Sequence, residues 1–328
     1  MRRRSGAWRG WPVAAAVAVA CLGCGGSGTE SVGPAPGTGP SATGPAGPLA
    51  VGSTYAEPNG WIEYQPGNAP LVIVAPHGGT LLPLELPDRM CSGCVTSNDV
   101  NTQELARAII DAFVARTGVR PHLVVNRLHR RKFDGNRERM EATGGRAALE
   151  PTWTWLQAAI DSATARVSKG IGRGLLLDLH GHGHAIPRIE LGYLLSDVDL
   201  RRSDASLAAG GDMARTSIAR LAVDARGGDR GAALLRGANS LGGLLSAAGY
   251  ATVPSPAAPS PFAGEEYFDG GFNTRRNGSV SGGAVDAVQI EAHFTGVRDT
   301  PASRAVFAGA LAAALVQYLD RHYAWRAR

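Results

Sequence analysis

Cysteine, charge of either sign in excess and long apolar runs are all scarce in this chain of 328 residues, and each shortage removes a class of protein. Of four cysteines, two lie near the start and two stand together in Cys91-Ser92-Gly93-Cys94, so no second pair exists to complete a four-thiolate metal site. That pair is expected to form a small local disulfide stiffening the loop that follows His77. The formal charge of +5 misleads: Arg2, Arg3, Arg4 and Arg9 crowd the start, and without them 29 basic residues face 28 acidic ones. A nearly neutral chain offers no electrostatic case for nucleic acid. No internal repeat is present, and from residue 55 onward no segment reads as apolar enough to span a membrane.

What is present at the start reads as an export signal. Four arginines precede a short apolar stretch, residues 13–22, too short to cross a bilayer as a helix. Small residues then lead into Cys21 and Cys24, a pattern like the lipobox of a bacterial lipoprotein. Either cysteine fits the lipidated position, and Cys24 is favoured because a Gly/Pro/Ser-rich run begins directly after it. That run has too few bulky apolar residues to offset the entropy of ordering. The organisation expected is therefore a signal over 1–24, a disordered tether over 25–54 and a catalytic domain over 55–328. The protein is expected to be exported and membrane-anchored, periplasmic or at the cell surface, touching the membrane only through its lipid.

In the domain, apolar β-prone runs at 71–75, 122–126, 175–179 and 287–292 alternate with helical patterns at 102–117, 153–167 and from Pro301 onward. Asn101 or Thr102 is placed to cap the first helix, with Leu105, Ala108, Ile109, Ala112 and Phe113 on its apolar side and Gly118 at its end. The last helix carries Val306, Ala310, Leu311, Ala314, Leu315, Tyr318 and Leu319 as a core-facing stripe. A further strand is expected over 191–195 and a short helix over 240–248. Two glycine-rich segments, 268–273 and 278–283, are expected to lie over a site as loops. The fold class is α/β, with a central mostly parallel or mixed sheet flanked by helices.

Three of the strands end in groups able to bind or work beside a metal. One runs into Pro76-His77-Gly78-Gly79, one into His180-Gly181-His182-Gly183-His184, and one carries Glu291 beside His293. In an open α/β sheet such groups converge outside the carboxyl ends of the strands. A catalytic zinc needs about three protein ligands and an open position. His77 and His180 are the leading ligands, with an acid as the third: Asp99, just before a helix N-terminus that favours its ionised form, or Glu85, nearer His77 in sequence. Asp178, two residues before His180, projects to the same face and can orient a ligand or water by a hydrogen bond. His182, His184 and Arg188 are expected to make contacts of that kind or to touch substrate. Glu291, on an otherwise apolar strand, suits a general base whose pKa burial pushes toward neutrality. Asn136 and Arg137 offer amide and guanidinium donors that grip a carboxylate, while Arg130, Arg131, Lys132 and Arg139 read equally well as a solvated basic loop.

Five pieces in this order resemble the N-formylglutamate amidohydrolase family and the wider zinc-carboxypeptidase-like hydrolases. They are Pro76-His77-Gly78-Gly79 with Pro83, Asp99 leading into Thr102-Gln103-Glu104-Leu105, Asp134-Gly135-Asn136-Arg137, Asp178-Leu179-His180, and Ile290-Glu291. The resemblance implies one zinc ion held by His77, His180 and an acid, Asn136 and Arg137 receiving a substrate carboxylate, and Glu291 as base. It also implies an arginine that polarises the scissile carbonyl, for which Arg188, Arg275 and Arg298 are candidates. The activity implied is zinc-dependent hydrolysis of a C–N amide bond in an N-acyl amino acid or peptide-like substrate. Two rivals stand beside it: a metal- or solute-binding lipoprotein with the histidine turn as a zinc trap, and a poly-γ-glutamate or cell-wall amide hydrolase with a long groove.

Overall fold

The computed structural model describes residues 43–327 apart from Ser92 and Gly210. The signal segment and the tether as far as residue 42 lie outside the described residues. The rest of the tether, 43–54, runs against the domain: Leu49 packs on an apolar cluster, Gly52 N–H donates to Pro66 O at 2.9 Å, and Gly44 sits so close that a side chain there would meet Ala158. The folded region therefore takes in residues whose composition alone reads as linker.

Eight strands form one mixed sheet: β1 Tyr55–Ala56, β2 Ile62–Gln65, β3 Leu71–Ala75, β4 His122–Asn126, β5 Gly174–Gly181, β6 Ile189–Gly192, β7 Thr252–Val253 and β8 Val285–Ala292, in the spatial order β1-β2-β4-β3-β5-β8-β6-β7. The four central strands β4, β3, β5 and β8 run parallel, while β2 and β6 pair antiparallel to β4 and β8. From β3 the chain moves to β4 on one side, then crosses to β5 on the other. The carboxyl ends of β3 and β5 thus flank the point where strand order reverses, the place where such sheets open a crevice.

Alternation along the buried strands divides the core in two. On one face Leu71, Ile73, Leu175, Leu177, Val288 and Ile290 pack against Leu105, Ile109 and Phe113 of helix Thr102–Thr117 and against Phe307, Leu311, Leu315 and Tyr318 of helix Pro301–Tyr323. On the other, Val72, Val74, Leu176 and Ala287 meet Trp155, Leu156, Ala159 and Ala163 of helix Glu150–Ile171. Asp178 and His180 share the face of Leu176, and Gln289 and Glu291 that of Ala287. The polar groups therefore crown the second layer where its helix no longer covers the sheet.

Several expectations are corrected. The strand expected over 191–195 forms instead as β6, Ile189–Gly192, because Leu194 turns into the left-handed region (φ 66°) and its N–H donates to Asp269 O. Asn101 caps no helix with its side chain; its amide donates to Arg298 O at 2.8 Å, and Thr102 Oγ1 donates to Asp99 O. Val306 is 67% exposed and Phe307 takes its place in the core. The C-terminal helix is also long and apolar enough, by length and composition, to cross a membrane, contrary to the reading of the sequence; its apolar stripe is built into the core.

One buried group makes the fold sensitive to acid. His122 opens β4, its Nδ1 accepting from Tyr64 Oη and Gly67 N–H, both at 3.0 Å. Burial, with Arg166 adding to it, pushes its pKa down from 6.5 to about 4. A histidine neutral in the fold and protonated in the unfolded chain contributes stability above pH 6.5 that is lost as the pH falls toward 4, on the order of 3 kcal/mol. Urea unfolding at pH 7 and pH 4.5 should show this loss, and His122→Gln should flatten that part of the profile.

Candidate metal centre

β3 delivers His77 two residues past its end, after Pro76. The following glycines let main chains close in: a Cβ on Gly79 would lie 2.2 Å from Leu128 O, and one on Gly78 would lie 2.5 Å from Thr102 Oγ1. The chain then loops back so that Asp99 N–H donates to His77 O at 3.2 Å, which sets the Asp99 carboxylate beside the imidazole. β5 brings His180, whose register partner across the parallel pair is Glu291 of β8. Residues 77, 99, 180 and 291 meet with almost no solvent exposure.

The distances define a triangle. His77 Nδ1 lies 3.1 Å from His180 Nδ1 and 3.3 Å from Asp99 Oδ2, and His180 Nδ1 lies 3.1 Å from the same oxygen. Donor atoms about 2.0–2.2 Å from one tetrahedral ion stand roughly 3.3 Å apart, so this set fits a divalent cation such as zinc. The opposite ring nitrogens are held as metal-binding histidines usually are. His77 Nε2 meets Asp134 Oδ1 at 2.6 Å, and His180 Nε2 lies 3.2 Å from Asp178 Oδ2 and 3.1 Å from Asn136 Nδ2. Asp178 is fixed in turn by Asn273 Nδ2 and Thr274 Oγ1, both at 3.3 Å.

Electrostatics separates the acids. Burial works against the charge of Asp99 and Asp134, yet the imidazoles beside Asp99, and His77 and Arg130 beside Asp134, hold both well below the usual carboxylate range. Burial likewise disfavours a charged His180, but Asp178 and Asp99 draw its pKa well up. Glu291 goes the other way. Burial raises it to about 8, against the pull of His180 and with Asp99, Glu190 and Asp178 adding to the rise. Its Oε1 accepts from Gln289 Nε2 at 2.9 Å.

A cavity of about 160 Å³ opens on this cluster, lined among others by Arg130, Arg137, Phe268, Gly270, Gly271 and Gln289. Of the two glycine-rich segments, the one around 268–273 does border the cavity; the other, around 278–283, lines separate clefts with Asp161 and Met213. Asn136 Nδ2 lies beside His180 and its Oδ1 accepts from Asn273 N–H at 2.7 Å, while Arg137 Nη1 donates to Asn136 O at 2.9 Å. Arg137 Nε is held by Glu141 at 2.8 Å.

The remaining candidates are placed elsewhere. Glu85 is exposed on its loop and Arg275 is exposed. Arg298 donates to the carbonyls of Ala292, Val100 and His182, and Arg188 to Glu190, Glu265 and Glu266 O. Arg130 reaches the cavity instead, its Nε 3.0 Å from Asp134 Oδ2 and its Nη1 3.5 Å from Asp99 Oδ1. His182 and His184 turn away into a second group with Glu190. There His182 Nδ1 accepts from His184 N–H, His182 Nε2 meets Arg188 O at 2.7 Å, and the Arg188 guanidinium lies 3.3 Å from the Glu190 oxygen that faces His184. With both His182 nitrogens taken and an arginine already on the carboxylate, that group suits a second cation poorly.

Asp134, Arg130, Gln289, Asn273 and Phe268 were not assigned roles from the sequence. Asp134 carried a signal, standing at the head of Asp134-Gly135-Asn136-Arg137, and Gln289 stands two residues before Glu291 on the same face of β8; Arg130, Asn273 and Phe268 depend on contacts over long separations. Cys91 and Cys94 are disulfide-bonded, and Arg89 Nη1 lies 3.4 Å from Cys94 Sγ while its Nη2 lies 3.4 Å from Asp134 Oδ2. The loop so closed backs the carboxylate that holds His77.

No protein-family model matches the chain. No curated protein matches it either. Among solved structures, the chain is similar to the N-formylglutamate amidohydrolase of Ralstonia eutropha, with 14% identity and a TM-score of 0.46 over 80% of this chain and 98% of that one. It is similar also to a gene product of Agrobacterium tumefaciens (13%, 0.46, over 79% and 94%) and to a bacteriophage poly-gamma-glutamate hydrolase (14%, 0.34, over 78% and 88%).

Removing the carboxylate behind His77 should weaken metal binding without touching a ligand. Asp134→Asn is expected to lower zinc affinity about 10–100-fold in a chelator competition, with one ion still bound per chain at saturation.

Proposed function

We propose that this chain is an exported, zinc-dependent hydrolase that cleaves a C–N amide bond in an N-acyl amino acid or peptide-like substrate bearing a carboxylate. The observation that carries this reading is the triangle of His77 Nδ1, His180 Nδ1 and Asp99 Oδ2 with the buried Glu291 directly across the strand pair from His180. Zinc held by those three residues supplies a Lewis acid that lowers the pKa of water and polarises a carbonyl.

The chain's own groups do the rest. Glu291, with its pKa near 8 and an oxygen fixed by Gln289, takes the proton from the attacking water and returns it to the leaving nitrogen. Arg130, rather than Arg188, Arg275 or Arg298, faces the cavity beside Asp99 and is the cation suited to the developing oxyanion. Arg137, at the cavity wall, receives the substrate carboxylate. The small volume of the cavity favours a compact substrate over a polymer laid in a long groove. The occupied nitrogens of His182 argue against the zinc-trap reading.

Export rests on the arginine-rich start, the short apolar stretch and Cys21 or Cys24 before the tether, which support a lipid-anchored protein of the periplasm or cell surface.

A mass-spectrometric screen of the zinc-loaded protein against N-acyl amino acids and short peptides tests the activity, with turnover expected on at least one amide and lost on chelation. Glu291→Gln should retain one zinc per chain and lose turnover by at least about a hundredfold. Wild-type rates in that variant would remove Glu291 as the base. Activity should also fall in acid, because the ligand imidazoles must be neutral to hold the ion.

A further inference from the structure

Phe268 stands out as an apolar ring left 44% exposed on the wall of an otherwise polar cavity. It is not a loose side chain. Its backbone N–H donates to Glu190 Oε2 at 3.0 Å, and its ring stacks on His184 with centroids 4.6 Å apart and planes 27° apart. His184 Nδ1 in turn meets Glu190 Oε1 at 3.1 Å. Glu190 is fully buried in β6, and Arg188 joins it at 3.3 Å while reaching Glu265 Oε2 at 2.6 Å and Glu266 O at 3.0 Å. Tyr267 Oη closes the set by donating to Leu191 O at 2.6 Å. Residues 265–268 are thus pinned to β6 and to the turn after β5 by a desolvated carboxylate with donors from three directions.

An ion network buried this deeply costs desolvation and returns a defined geometry. What it fixes here is one face of a phenyl ring against His184, on a residue that lines the cavity and keeps 44% of its surface exposed. A preordered aromatic surface adds contact to a ligand without the cost of ordering it. We propose that Phe268 is a specificity-determining residue for an apolar, preferentially aromatic group next to the scissile amide, and that His184, through its stacking and its bond to Glu190, is the positioning residue that holds it. The histidine-rich turn then serves substrate selection and not metal binding. This inference rests on the metal-centre reading above.

Hydroxamates test it, since they present a carbonyl and N–H while chelating the ion. Calorimetry on zinc-loaded protein would compare benzohydroxamate with acetohydroxamate, using the ratio of their affinities so that metal binding common to both cancels. The wild-type ratio is expected to exceed that of Phe268→Ala by about tenfold, with zinc content equal in the two proteins. His184→Ala should give an intermediate ratio. Equal ratios in wild type and Phe268→Ala overturn the proposal while leaving the metal centre intact, and an unchanged ratio in His184→Ala overturns the part given to that residue. A wild-type chain that takes up no zinc overturns the metal-centre reading and this inference with it.

Discussion

Everything in the centre depends on one crowded contact, where a single oxygen of Asp99 meets the Nδ1 atoms of two imidazoles. Two ring nitrogens and a carboxylate oxygen within 3.3 Å of one another are mutually repulsive lone pairs unless a proton or a cation lies between them. The surroundings are arranged for the cation. Both Nε2 atoms are directed at carboxylates, which leaves the Nδ1 atoms as the acceptors turned inward. The atoms that could hold a cation are therefore oriented by groups that stand behind them.

The same arrangement distributes charge among five buried acids. Asp134 has Arg130 and Arg89, Asp99 has the two imidazoles and Arg130, Asp178 has His180, and Glu190 has Arg188 and His184. Among the described residues Glu291 alone of these has no ion-pair partner. Its raised pKa follows directly, because burial, with three nearby acids adding to it, opposes its charge more than His180 favours it. Carboxylates held ionised and one held toward its neutral form are thus made from the same chemical group by what each is given as a neighbour.

Much of this was legible in the sequence because it is local. Apolar runs ending at Pro76-His77 and Leu179-His180 set both strand and histidine, and Glu291 on an apolar strand marked itself by its company. Asp99 was legible as a carboxylate before a helix, although Glu85 competed with it until the loop's course was known. What was illegible depends on closure over long distances. Arg130 read as part of a solvated basic loop because its own segment, Asp134 included, does not show that Asp99 meets it from across the cluster. His182 and His184 read as groups that orient a ligand or touch substrate because histidine spacing does not reveal that backbone groups and Glu190 claim their nitrogens. The segment that starts at Phe268 was legible as a glycine-rich loop over the site, but what holds the ring itself comes from β6 and the turn after β5, far off in the chain.

The pairing of His180 with Glu291 across β5 and β8 makes the position of Glu291 a matter of strand register. Side chains alternate between faces, so sliding β8 by one residue would present Ile290 to the cavity and bury Glu291 among the helices. Such a misaligned chain would keep most of its hydrogen-bond ladder, and the triangle of His77, Asp99 and His180 with it, because none of those three stands on β8. Register between the two strands therefore bears on the placement of the Glu291 carboxylate and not on the cluster it faces.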